Sequence, residues 1–158
     1  MILFQNAKIF DGNKIISSDS VLVENNIIRE IGKNIKANKI ELKINVNKNF
    51  LMPGLIDAHF HANTPNYDFY SSDRYPKNYI AFHSQNILSD TLKRGFTTVR
   101  DAGGGDIGIK MALNEKLFRG PRFFYPGKAI TQTGGHGDMR NSEYLETCGC
   151  AYDGNITQ

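Results

Sequence analysis

The sequence predicts an α/β protein, with a small antiparallel β-module at the amino end and alternating strands and helices after it. Three observations predict it. Residues 1–50 form short runs rich in Ile, Val, Leu and Phe, separated by Asn-, Asp- and Gly-containing turns, with no helical period. Pro53-Gly54 marks a break in style. Beyond it, apolar β-type runs alternate with helix-length segments, an order that gives parallel strands with helical crossovers. The expected division is 1–52 for the β-module and 53–158 for the βα part.

Within the first part the expected strands are Met1–Phe10, Ser20–Glu24, Ile27–Ile31 and Ile40–Val46. Asn25-Asn26 tolerates positive φ and suits a tight hairpin. In the second part Leu55–His61 is a short apolar strand. Lys77–Arg94 carries Ile80, Ile87, Leu88 and Leu92 near one helical stripe, and Gly95 follows as a cap. Phe96–Arg100 is a β-branched strand that leads into Gly103-Gly104-Gly105. Ile107–Phe118 is a second helix stopped by Gly120-Pro121, and Arg122–Tyr125 is a third strand before a long polar loop.

The chain has 158 residues, 40% of them hydrophobic and 22% charged, which excludes a disordered or collagen-like protein. Its net charge is +3 with no basic run, so nothing points to nucleic acid. Cys148 and Cys150 are too close for an ordinary disulfide and lack the second pair that a zinc ribbon needs. Two unpaired thiols fit a reducing compartment. The amino end lacks a basic signal-peptide region, and no window nears the ~18 apolar residues of a membrane helix. The expected setting is cytoplasmic, with no membrane partner.

Asp57-Ala58-His59-Phe60-His61 is the sharpest local feature. Residues i and i+2 of a strand share a face, so His59 and His61 point the same way, roughly 6.5–7 Å apart along the strand. Two imidazoles so placed can converge on one ion beyond the strand end. Phe60 faces the opposite side, beneath a helix. Asp57 lies one step deeper on the histidine face, where it can orient a ligand. The bland alternative is two histidines that line a strand. Position favours the metal, because chemistry in βα barrels sits at the carboxyl ends of the strands. Arg100-Asp101 reads as a salt bridge at least as readily as a catalytic pair. Gly103 to Gly105 matches no phosphate-binding spacing and reads as a flexible turn. His83, inside a helix, reads as a surface or packing residue.

Leu51–His61, Arg94–Gly104, Gly120-Pro121-Arg122 and Thr131–Asp138 together resemble the metal-dependent amidohydrolase superfamily. The last motif, Thr131-Gln132-Thr133-Gly134-Gly135-His136-Gly137-Asp138, resembles the branch of imidazolonepropionase-related hydrolases and Xaa-Pro dipeptidases. The resemblance implies a partial (β/α)8 barrel of three βα units, preceded by part of a β-sandwich that carboxyl-terminal strands complete. It implies a divalent metal, most often zinc, with one or two ions in a complete protein. His59 and His61 would be metal ligands. His136 would bind or polarise the scissile carbonyl of a small-molecule dipeptide or amide. The implied reaction is hydrolysis of a C–N bond by metal-activated water.

Residues 53–158 suffice for about three βα units of a barrel that needs ~250 residues. The family's later ligands, at strands four, five, six and eight, are not in this sequence. The expectation is an amino-terminal fragment of a hydrolase, inactive alone. The alternative is a non-catalytic product that acts as a metal-binding or interaction module.

Overall fold

The computed structural model describes residues 1–66, 75–132 and 135–138. The chain divides into two units, Met1–Pro53 and Gly54–Gln158. The first contains β1 (Ile2–Gln5), β2 (Lys8–Ile9), β3 (Ser20–Glu24), β4 (Ile27–Gly32), β5 (Leu42–Asn45) and β6 (Phe50–Leu51). Four of these form a sheet in the order β4-β3-β1-β5, and β2 pairs with β6. The β3–β4 hairpin turns on Asn25 and Asn26, both left-handed at φ 50° and 63°. This is the conformation a tight primed turn demands.

The expected strand Met1–Phe10 is cut in two at Asn6, whose φ is 58°. The two halves enter different sheets. The expectation of a purely antiparallel module is also corrected. β1 runs parallel to β5, with Ile2 opposite Leu42, and β2 runs parallel to β6. The stretch between β4 and β5 is too long for a tight hairpin. It carries the chain across to the far edge of β1, so that β5 enters in the direction of β1. Val21 and Leu22 project to opposite faces of β3. Leu22 packs with Leu3 and Ile35, while Val21 packs with Ala7 and Ile9.

The second unit follows the order β7 (Leu55–Phe60), α1 (Lys77–Lys93), β8 (Phe96–Asp101), α2 (Ile107–Asn114) and β9 (Arg122–Phe124). Its strands form a parallel sheet in sequence order, β7-β8-β9. Leu88 from α1, Ile109 from α2, Val99 from β8 and Phe123 from β9 make the core with Ala62. Phe60 packs against this cluster, as its place opposite the histidines requires.

The buried stripe of α1 is Ser84, Leu88 and Thr91, more polar than the one predicted. The Ser84 and Thr91 hydroxyls reach the carbonyls of Ile80 and Ile87 at 2.9 and 2.7 Å. Satisfied within their own helix, they are tolerated in the core. Gly95 follows α1 at φ 97° and caps it as expected. Asp106 caps α2 by accepting the Ile109 N–H at 3.0 Å. α2 ends earlier than Phe118, because Lys116 turns left-handed at φ 59°. No helix among the described residues is long and apolar enough to cross a membrane.

Candidate metal centre

The hydrogen-bond ladder between β7 and β8 is irregular where the histidines lie. Asp57 stands opposite Val99 and Phe60 opposite Asp101, so β7 carries an extra residue in that interval. Within that interval the Asp57 carboxyl accepts the backbone N–H of His59 at 3.0 Å. Asp57 Oδ1 thus holds the backbone beneath His59. A bulge re-aims side chains, and the His59 and His61 rings stand 5.2 Å apart between centroids at an interplanar angle of 70°. Two imidazoles sharing one tetrahedral ion at Zn–N distances of about 2.0–2.1 Å have centroids about 5 Å apart. The donor set, two imidazoles, suits a divalent ion such as zinc. On both counts the pair fits as two ligands of one ion.

His59 is exposed and His61 half-buried. Nδ1 of His61 lies 3.2 Å from the Gly103 carbonyl. A carbonyl only accepts, so this bond puts the proton on Nδ1 and leaves the lone pair on Nε2. Among the described residues no group of three or more His, Cys, Asp or Glu side chains is placed to hold an ion.

Of the two readings left open for Arg100 and Asp101, the salt bridge is not formed. Arg100 is exposed, with Nη1 3.4 Å from the Ala58 carbonyl. Asp101 is completely buried. Its Oδ2 accepts the Ala62 N–H at 2.7 Å, and its Oδ1 accepts those of Gly103 and Gly105 at 2.8 and 3.0 Å. The glycine turn read as flexible is thus pinned at both ends. A Cβ on Gly105 would come within 2.7 Å of Phe123 Cζ and 2.8 Å of Asp101 Cγ, so the close approach requires glycine.

Asn63 escaped the reading of the sequence. Its side-chain amide donates to the Gly104 carbonyl, and its carbonyl oxygen accepts from Ser84 Oγ at 2.8 Å. A lone Asn two residues beyond His61 carries no sequence signal for this role. His136 lies on the loop after β9, exposed in a turn closed by the Gly135 N–H to Gln132 O bond of 2.8 Å and the Asp138 N–H to Gly135 O bond of 2.9 Å. The Gly137 N–H also donates to Thr131 Oγ1, at 3.2 Å. His59 and His61 are brought together; His136 is presented from a different strand's loop. His83 is half-buried in α1 with its ring 4.5 Å from that of Tyr79, a packing role. Cys148 and Cys150 lie outside the described residues.

The amidohydrolase family profile matches residues 50–153, which include both histidines and the pinned turn. The chain belongs to the amidohydrolase family. A solved amidohydrolase structure superposes with a TM-score of 0.83 at 35% identity, covering 94% of this chain and 37% of its own. A prolidase solved with N-methylphosphonate-L-proline gives a TM-score of 0.80 at 34% identity, over 89% of this chain and 35% of its own. The ochratoxinase of Aspergillus niger is 32% identical over 99 residues, 56% of this chain and 19% of that protein. These relatives are amidohydrolase-type enzymes, and this amidohydrolase chain spans about a third or less of their lengths.

Proposed function

We propose that this chain carries the first metal ligands of a hydrolase that cleaves C–N bonds, and that it forms the opening three βα units of a (β/α)8 barrel. The observation that carries the reading is the 5.2 Å separation of the His59 and His61 rings, at the carboxyl end of the first strand of a parallel βα series. His59 and His61 would hold a divalent ion, zinc by donor type. When bound, such an ion supplies acidified water and Lewis acidity. The chain's own residues do the rest of what is here. The Gly103 carbonyl fixes the tautomer and rotation of His61. Asp57 would hold the backbone of His59 through its peptide N–H. His136, from the loop after β9, would bind or polarise the scissile carbonyl of the substrate.

A dipeptide ending in proline is the substrate class favoured by the relative solved with a phosphonate-proline compound. Cyclic amides are the nearest competitors, since dihydroorotases are also among the relatives. The remaining ligands and the proton shuttle would come from later strands of a longer protein in the cytoplasm. The test is hydrolysis of Xaa-Pro dipeptides and cyclic amides with added zinc. The 158-residue chain should give no measurable turnover, while a protein extended by its downstream coding sequence should be active. Robust turnover by the 158-residue chain, or an extended protein inert on both classes, would overturn the reading.

A further inference from the structure

We infer that Asp101 is a positioning residue for His61; the inference rests on the reading of His59 and His61 as metal ligands. One buried side chain grips both the backbone and the hydrogen-bond acceptor of that histidine. Oδ2 of Asp101 holds the N–H of Ala62, the residue after His61, at 2.7 Å. Oδ1 holds the N–H of Gly103, whose own carbonyl faces His61 Nδ1 at 3.2 Å. The same oxygen holds Gly105 at 3.0 Å, which closes the turn around Gly103. The Ala102 N–H to Phe60 O bond of 2.8 Å ties the two strand ends on the other side of the histidine. Asn63 is a second strut, linking Gly104 to Ser84 of α1.

Two features mark this as a device for orientation. Asp101 has no accessible surface, and among the described residues no cation pairs with it and the donors to its oxygens are peptide N–H groups. Ala62 follows His61, Gly103 supplies its acceptor, and Gly105 closes the turn around that acceptor. A carbonyl held at this place selects the Nδ1–H tautomer and leaves Nε2 as the metal-binding nitrogen. If the turn were released, the ring would be free to rotate and to take the Nε2–H form that predominates in water.

The test is long-range proton–nitrogen correlation on the metal-free full chain labelled with 15N-histidine, above the imidazole titration range. It is followed by zinc titration. His61 of the wild type should be the Nδ1–H tautomer. Asp101→Asn keeps an oxygen for Gly103 and Gly105 but turns an NH2 group on the Ala62 N–H. It should move His61 toward the Nε2–H form, leave His83 and His136 unchanged, and weaken zinc binding about 10–100-fold. Asp101→Ala should do both more strongly. If either variant fails to fold, the wild-type tautomer still decides, since an Nε2–H His61 overturns the inference. A folded Asp101→Asn with an unmoved tautomer and unchanged zinc affinity overturns it too. If the tautomer moves as expected but the wild type binds no zinc, the positioning of His61 stands and the metal reading fails.

Discussion

At the amino end of the parallel sheet, β7 and β8 are joined by close packing. Gly54 lies so near Thr97 that a Cβ would collide with that side chain, and the Leu55 N–H donates to the Gly95 carbonyl at 2.9 Å. Leu55 and Ile56, which open β7, are 41% and 70% exposed. At the carboxyl end the same strands are joined by a buried carboxyl, three peptide N–H groups and a histidine–carbonyl bond. Burying polar groups is costly unless every one is paired. Between these two strands, among the described residues, the buried carboxyl lies at the end that carries the His59–His61 pair. A scaffold needs only shape at its quiet end, but fixed dipoles where side chains must be aimed.

The largest expected effect breaks the polar end. Asp101→Ala leaves three N–H groups of buried residues without an acceptor, and should cost about 3–5 kcal/mol in urea unfolding. A loss below about 1 kcal/mol would mean that water replaces the carboxyl and that the two ends are held alike. Next comes the packed end. Gly54→Ala forces Thr97 to shift and should cost about 1–3 kcal/mol by the same measurement, with the His61 tautomer unchanged. Ile56→Ser should change the stability of this chain by about 0.5 kcal/mol or less, because Ile56 is largely exposed. In a longer protein that covers the outer face of β7 the cost should rise to that of a core position.

The smallest effect lies outside the sheet. Two backbone N–H groups, from Lys14 first and then Asn13, hold the Asp11 carboxyl below its ordinary value of 3.8. A hydrogen bond from Lys93 does the same for Asp90. Groups lowered on folding stabilise fully above the ordinary value and lose that contribution as pH falls through the lower, folded value. Urea midpoints should therefore drop below about pH 4, and Asp11→Asn should slightly flatten the drop. A drop confined to higher pH would point to other groups.

Much of the scaffold was legible in the sequence, and the reasons are local. Ser20–Glu24 is a short apolar run bounded by turn residues, Asn25-Asn26 announces a left-handed turn, and Gly95 announces the end of α1. At the candidate site, the His-x-His spacing was enough to expect two imidazoles side by side. What stayed hidden depends on partners distant in the chain. The parallel pairing of β1 with β5 is fixed by a crossover that turn residues do not reveal. The core positions Ser84 and Thr91 look like surface residues until their hydroxyls are seen bonded to the helix. Asp101 reads as half of a charged dipeptide, because nothing in the order Arg100-Asp101 tells which of the two turns inward. The irregularity in β7 beside the imidazoles, where the Asp57 carboxyl takes the N–H two residues on, is something period-2 reasoning cannot foresee.

The most direct measurement is a cobalt(II) titration of the full chain, followed by visible absorption, for the wild type and the His59→Ala, His61→Ala double variant. The account predicts saturable binding of cobalt by the wild type, with ligand-field bands that the double variant does not develop. Equal binding and identical spectra for the two proteins would contradict it.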